Sequence, residues 1–230
     1  MTTLLRHFET LRQVLSLPQA DLHFDARIEP GDIAATYRYY TKPHPRYKLI
    51  RHKTIGAALI DLARYPASGA YVDALQGKNR GAWHARRARA RGYVCTEIDR
   101  NDYVDAIHAI NTSLETRQGR AMNQRYLQKV TRFERQPHFD YYGVLDSDGR
   151  LVAYANIGRY GNFSAFSQVI GLRNNDGIMH LLVVDIVLRL IERQCVRYVM
   201  YDTFFGAREG LRNFKRIVGF EPYRVRYSLQ

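Results

Sequence analysis

From Phe139 to Gln230 the sequence reads as three strands in succession, a long apolar helix, then strand, helix and strand, an order that few architectures accommodate. Residues 141–145 and 151–160 flank Asp146-Ser147-Asp148-Gly149, a turn of about four residues, and so predict a β-hairpin. Residues 163–170 extend it to a meander. The stretch 176–194 is apolar nearly all round, the pattern of a helix buried against a sheet. Residues 197–204 predict a strand, 208–218 a helix and 222–228 a last strand. The expected fold class is α/β (α+β): one domain with a mixed, mostly antiparallel central sheet flanked by helices. At 230 residues and 46% apolar content the chain is long enough to bury a continuous core.

The first third is less periodic. Residues 2–17 place Leu4, Leu5, Phe8, Leu11, Val14 and Leu15 at helical spacing. Residues 21–41 alternate apolar and polar around Pro30-Gly31, which predicts strands about a turn, and 47–62 add further strand-like text. Residues 74–96 contain no acid but carry Lys78, Arg80, Arg86, Arg87, Arg89 and Arg91, predicting a basic helix that stops at Gly92 before a strand over 93–98. A helix over 102–114, a polar loop over 115–123 and a helix over 124–133 follow. The expected organisation is an N-terminal segment, 1–70, of helix plus strands, packed on a main domain, 71–230.

Thirty-five Lys and Arg against 22 Asp and Glu give a formal charge of +13, a field that attracts phosphates, nucleic acid or an anionic surface. Six positive charges within the segment 78–91 repel one another and call for an anionic neighbour; a solvated charged helix is the other reading. On the first reading Lys78, Arg80, Arg87 and Arg91 contact phosphate or nucleic acid, with Trp83 available to stack on bases. Cys95 and Cys195, 100 positions apart, form neither a disulfide framework nor a zinc motif, so no metal is expected and reduced cytoplasmic thiols fit. The most apolar segment, 178–191, carries His180, Asp185 and Arg189, and no membrane span is expected.

A meander feeding a helix through the turn 171–177, then β-α-β, resembles the GNAT superfamily of acyl-CoA N-acyltransferases. In that family the helix opens on a Gln/Arg-x-x-Gly-x-Gly/Ala turn whose backbone N–H groups hold the cofactor pyrophosphate. The aligned text is Asn174-x-x-Gly177-x-Met179, which keeps the middle glycine alone, with Arg173 beside it as a phosphate ligand. The residues themselves also read as a plain turn with an N-cap. The closing Asn213-Phe214-Lys215-Arg216-Ile217-Val218-Gly219-Phe220 is similar to the family's ending and to the Phe-Lys-x-x-Phe-Gly ending of FemAB-type aminoacyltransferases, which build the fold twice and use aminoacyl-tRNA. Leu75-Gln76-Gly77-Lys78-Asn79-Arg80, Gly92-Tyr93 and Arg117-Gln118-Gly119-Arg120 also resemble FemAB text. The likeness covers roughly residues 75–227, and the chain is too short for two complete folds.

What the resemblance implies is transfer of an acyl or aminoacyl group from acyl-CoA (acetyl-CoA included) or aminoacyl-tRNA to an amine. Ser167, Gln168, Arg173, Asn174, Asn175, Gly177, Met179 and Asn213 are the expected donor contacts. Direct transfer needs a proton acceptor for the amine and an acid for the leaving group. Asp202, near the C-terminal end of the 197–204 strand where α/β sheets open their ligand crevice, is the expected base or amine anchor, with Tyr201 the acid. Asp202 as the cap of the 203–207 turn is the alternative. His180, on an otherwise apolar helix face, reads as a core histidine. A non-catalytic nucleic-acid-binding module is the rival function.

Overall fold

The computed structural model describes residues 14–45, 48, 50–77, 79–117 and 120–230; most of the 2–17 helix, and Lys78, lie outside them. In chain order the elements are β1 (Gln19–Phe24), α1 (Pro30–Thr41), β2 (Ile55–Asp61), α2 (Ser68–Ala74), α3 (Gly81–Ala90), β3 (Val94–Glu97), α4 (Val104–Thr112), β4 (Thr116–Arg117), β5 (Arg120–Ala121) and α5 (Gln124–Leu127). The second half adds β6 (Phe139–Leu145), β7 (Leu151–Arg159), β8 (Phe163–Gly171), α6 (Ile178–Arg193), β9 (Tyr198–Thr203), α7 (Glu209–Ile217) and β10 (Glu221–Leu229).

Eight strands form one sheet in the order β1-β10-β2-β9-β8-β7-β6-β3. The β1/β10 and β8/β9 pairs are parallel and the others antiparallel. Strand β2 lies between β9 and β10, so the first third of the chain is woven into the sheet.

Strand alternation divides the core. On one face Ala153, Ala155, Ile157, Phe166 and Val169 pack under α3 and α6. Nine aliphatic residues of α6, from Ile178 to Ile191, are buried there. Each contributes about 1.5–3 kcal/mol relative to exposure, enough to fix the helix to the sheet. Small residues Ala82, Ala85 and Ala88 let α3 approach it closely. On the other face Phe24, Ile33, Tyr40, Phe163, Ala165 and Met200 pack beneath α1, while Tyr154 and Ile170 pack against Ile107 and Ile110 of α4.

Three elements differ from the sequence expectation. Residues 30–41 are a helix: Pro30 stands in its first turn with Asp32, and Ile33, Tyr37 and Tyr40 follow the spacing of a buried helical face. Pro30-Gly31 is therefore a helix start and not a hairpin turn. Helix α2 was not expected, and is pinned by the buried Tyr71, whose hydroxyl donates to the Val218 carbonyl at 2.8 Å. The 124–133 helix ends at Leu127, because the chain beyond it is held extended: Phe133 exchanges two hydrogen bonds with the Asn101 side chain, at 2.8 and 3.1 Å. The 115–123 loop contains the two-residue strands β4 and β5.

Candidate active site

Strands β8 and β9 pair only at Phe163↔Tyr198, Ser164↔Val199 and Ala165↔Met200. Beyond that point the register of β8 shifts, since Asn156 faces Gln168 and Ile157 faces Phe166, leaving Ser167 as the extra residue of a bulge. The β8–β9 ladder ends there, and a cleft of about 220 Å³ opens between the two strands. Ile110, Leu114, Met122, Val169, Ile170, Gly171, Met179, Tyr201, Leu211 and Phe214 line it.

Two charged groups flank the end of β9. Asp202 has a left-handed backbone, φ +54°, an uncommon conformation for a residue other than glycine. Its carboxylate, 57% exposed, accepts from Lys53 Nζ at 2.5 Å, and the lysine is itself only 11% exposed, 5.5 and 5.4 Å from the Tyr39 and Tyr40 rings. Burial would raise the Asp202 pKa, but the Lys53 ammonium and its hydrogen bond hold the acid below its ordinary value. Asp202 is thus ionised at neutral pH, and its partner is a lysine side chain from the β2 side.

Lys215, on α7, is 1% exposed. Its ammonium donates to the Thr203 carbonyl at 2.8 Å and lies 5.0 Å from the Tyr201 ring. Burial pushes its pKa down to about 8, against the upward pull of Asp202. The sequence offered it only as a letter of the closing motif; a lysine shortly before a helix-ending glycine on an amphipathic helix was the available signal. Asn156 was also missed: its Nδ2 donates to Gln168 Oε1 at 2.5 Å, and its buried Oδ1 has no partner among the described residues.

The turn before α6 is held from within the protein. Asn174 Oδ1 accepts from the Asp176 amide at 3.2 Å, Tyr93 Oη donates to the Asp176 carboxylate at 2.9 Å, and Arg91 pairs with the same carboxylate. Gly177 has φ +88°, and a Cβ there would lie 2.5 Å from the His84 carbonyl oxygen, so the close approach of α3 by itself demands glycine. Arg173 and Asn175 are exposed, as is Asn213 on α7. Met179 reaches the cleft, packed so closely on Gly171 that a Cβ there would sit 2.5 Å from its sulfur. The Ser167 hydroxyl donates to the Asn156 carbonyl at 3.3 Å. His180 stacks on His84, with centroids 4.2 Å apart, and touches Phe214; burial, and then His84, push its pKa down to about 4.

The structure therefore brings Tyr201 and Met179 together at the cleft, pairs Asp202 with Lys53 and Gln168 with Asn156 outside its lining, and leaves Arg173, Asn174, Asn175 and Asn213 on the surface. The basic helix α3 differs from expectation in how its charge is relieved: Arg89 pairs with Asp185 and Arg91 with Asp176, acids of this same chain. Arg87 lies over the Trp83 ring, 5.6 Å away, and Arg80 is exposed. Arg208, just before α7, and Arg212 and Arg216 on it form a second exposed basic row, four residues apart. Among the described residues no group of three or more His, Cys, Asp or Glu is placed to hold a metal ion, and no helix is long and apolar enough to cross a membrane.

An antiparallel meander, a buried helix, and a strand that pairs in parallel and then splays away define a GNAT-like fold of the kind also found in FemAB-type proteins. The solved structure of FemX superposes with a TM-score of 0.56 at 8% identity, over 73% of this chain and 59% of that one. The C-terminal domain (DUF2156) of a protein described as a putative lysylphosphatidylglycerol synthetase from Agrobacterium fabrum gives 0.50 at 17% identity, over 72% and 57%. At these identities the likeness is one of fold, and this chain matches less than two thirds of either neighbour's length. No protein-family model and no curated protein matches the sequence.

Proposed function

We propose that this protein is an N-acyltransferase that moves an acyl or aminoacyl group to an amine by direct transfer, with residues 71–230 forming the donor site and 1–70 completing the sheet on the acceptor side. The observation that carries the reading is the end of the β8–β9 ladder, where an apolar cleft opens between the strands at Tyr201, with the buried Lys215 ammonium 5.0 Å from that ring and the ionised Asp202 next along β9. The donor carbonyl lies in the gap. The amine nitrogen attacks its carbon, the carbon–sulfur bond of a thioester or the carbon–oxygen bond of an aminoacyl ester breaks, and the amine's proton goes to the leaving thiolate or alkoxide through Tyr201 or water. Asp202, already paired with Lys53, is a weak base; it serves as the anchor that draws the acceptor amine to the gap. The positive field of Lys215 favours negative charge developing on the carbonyl oxygen.

Both acyl-CoA and aminoacyl-tRNA suit this reading. The turn at 174–179, filled by its own side chains, weighs against a CoA pyrophosphate there, and the exposed arginines Arg80, Arg208, Arg212 and Arg216 favour a polyanionic carrier. Thermal shift against acetyl-CoA, longer acyl-CoAs, free CoA, and charged and uncharged tRNA tests it, followed by transfer assays with the donors that stabilise. Stabilisation of the wild type with transfer lost in D202N supports the enzyme. Salt-sensitive RNA binding with no effect of the acyl group, charged or uncharged, would replace it with the binding-module reading.

A further inference from the structure

The chemistry of the cleft specifies what it receives, granted the transferase reading above. All ten lining residues are uncharged, and eight of them carry aliphatic, thioether or phenyl side chains. An ion placed among these apolar side chains would lose its hydration, a penalty of several kcal/mol. The volume, about 220 Å³, exceeds the roughly 150 Å³ in which an apolar cavity holds one benzene ring. An acetyl group would leave most of it empty. The walls come from both faces of the sheet, Ile110, Leu114 and Met122 from one side and Met179, Leu211 and Phe214 from the other, so a chain entering through the splay passes between two apolar layers. Met122 and Met179 add unbranched, deformable side chains that adjust to the chain's end.

We propose that the cleft between β8 and β9 selects an apolar transferred group of medium size, about six to eight carbons, whether a fatty acyl chain or the side chain of an apolar aminoacyl ester. Each methylene added to the donor should tighten binding about three- to fourfold until the cleft is full.

The test uses uncharged S-acyl-N-acetylcysteamine thioesters with acyl chains of graded length, from acetyl to decanoyl, read by binding in a thermal-shift titration and, separately, by transfer to an amine. Affinity that climbs with length and levels off at about six to eight carbons supports the proposal; a flat dependence overturns it, even if transfer occurs. Binding that climbs with no transfer from thioester, acyl-CoA or aminoacyl-tRNA keeps the pocket and removes the transferase reading, so the two failures are distinct. L211W, at a half-exposed position of the wall, and L114F as a second variant, should move the plateau to shorter chains. An unchanged length profile in a folded variant counts against the assignment. Comparing octanoyl-CoA with phenylalanyl-tRNA, whose benzyl side chain falls in this size range, and glycyl-tRNA separates the two carriers, since the phenylalanyl over glycyl preference should match the thioester series only if the side chain is what the cleft holds.

Discussion

Replacing Lys215 with methionine should change how stability responds to pH. The Lys215 ammonium is 1% exposed, and its pKa falls from 10.5 to about 8. The unfolded chain, whose lysine keeps the ordinary value, therefore holds more protons than the folded one between pH 8 and 10.5. Stability rises with pH where the unfolded state binds the extra proton, so Lys215 penalises folding in full below pH 8 and the penalty fades as pH climbs to 10.5. Each tenfold loss of proton affinity on folding costs about 1.4 kcal/mol, so the penalty is about 3 kcal/mol, or roughly 6–12 °C in Tm for a chain of this size. Methionine fills a similar volume without the charge, at the loss of one hydrogen bond to the Thr203 carbonyl worth about 1 kcal/mol. Urea unfolding of wild type and K215M at intervals from pH 7 to 10.5 gives the difference curve, in which tyrosines and other common groups cancel. The wild type should gain about 3 kcal/mol on the variant across that window. Parallel curves would show that Lys215 titrates near 10.5 and is not desolvated, which would also remove the electrostatic role given to it at the cleft.

D202N leaves the Lys53 ammonium, 11% exposed, without its carboxylate and should destabilise by about 1–3 kcal/mol, while amine transfer falls about 100-fold or more; thermal melts beside initial rates check both. G177A puts a Cβ 2.5 Å from the His84 carbonyl at φ +88° and should destabilise by about 2 kcal/mol or more, measured by chemical denaturation. Cys95 is buried with its thiol pushed up to about 12 by burial, whereas Cys195 is exposed, so a thiol reagent at about pH 8 should titrate one cysteine in the native protein and the second only on unfolding.

The second half of the fold was legible because each of its elements is stamped by one periodicity: the meander alternates, and the 178–193 helix is apolar nearly all round since it lies between sheet and α3. Residues 21–41 misled because alternate apolar positions also satisfy a helix when its buried face carries tyrosines, and Pro30 marks a helix start as readily as a turn. The site was half legible. That Tyr201 and Met179 stand at the cleft follows from their place at strand and helix ends, whereas Lys53 reaches Asp202 across 149 positions and no local pattern announces that pairing. In the sequence the arginines of α3 read either as awaiting an outside anion or as solvated, because their partners Asp176 and Asp185 lie about 90 residues further along.

Strand β2 is made early and paired late. Its neighbours are Met200 and Val199 on one side and residues 221–224 on the other, so Leu59 and Ile60 find partners only after some 140 further residues have been made. At usual synthesis rates of about 5–20 residues per second, an apolar strand stays unpaired for roughly ten seconds or more. The 139–171 meander, whose contacts are local, is ready long before the gap beside β9 receives it. Until β9 and β10 are made, both β1 and β2 lack their partner strands, and their edges invite association with other chains.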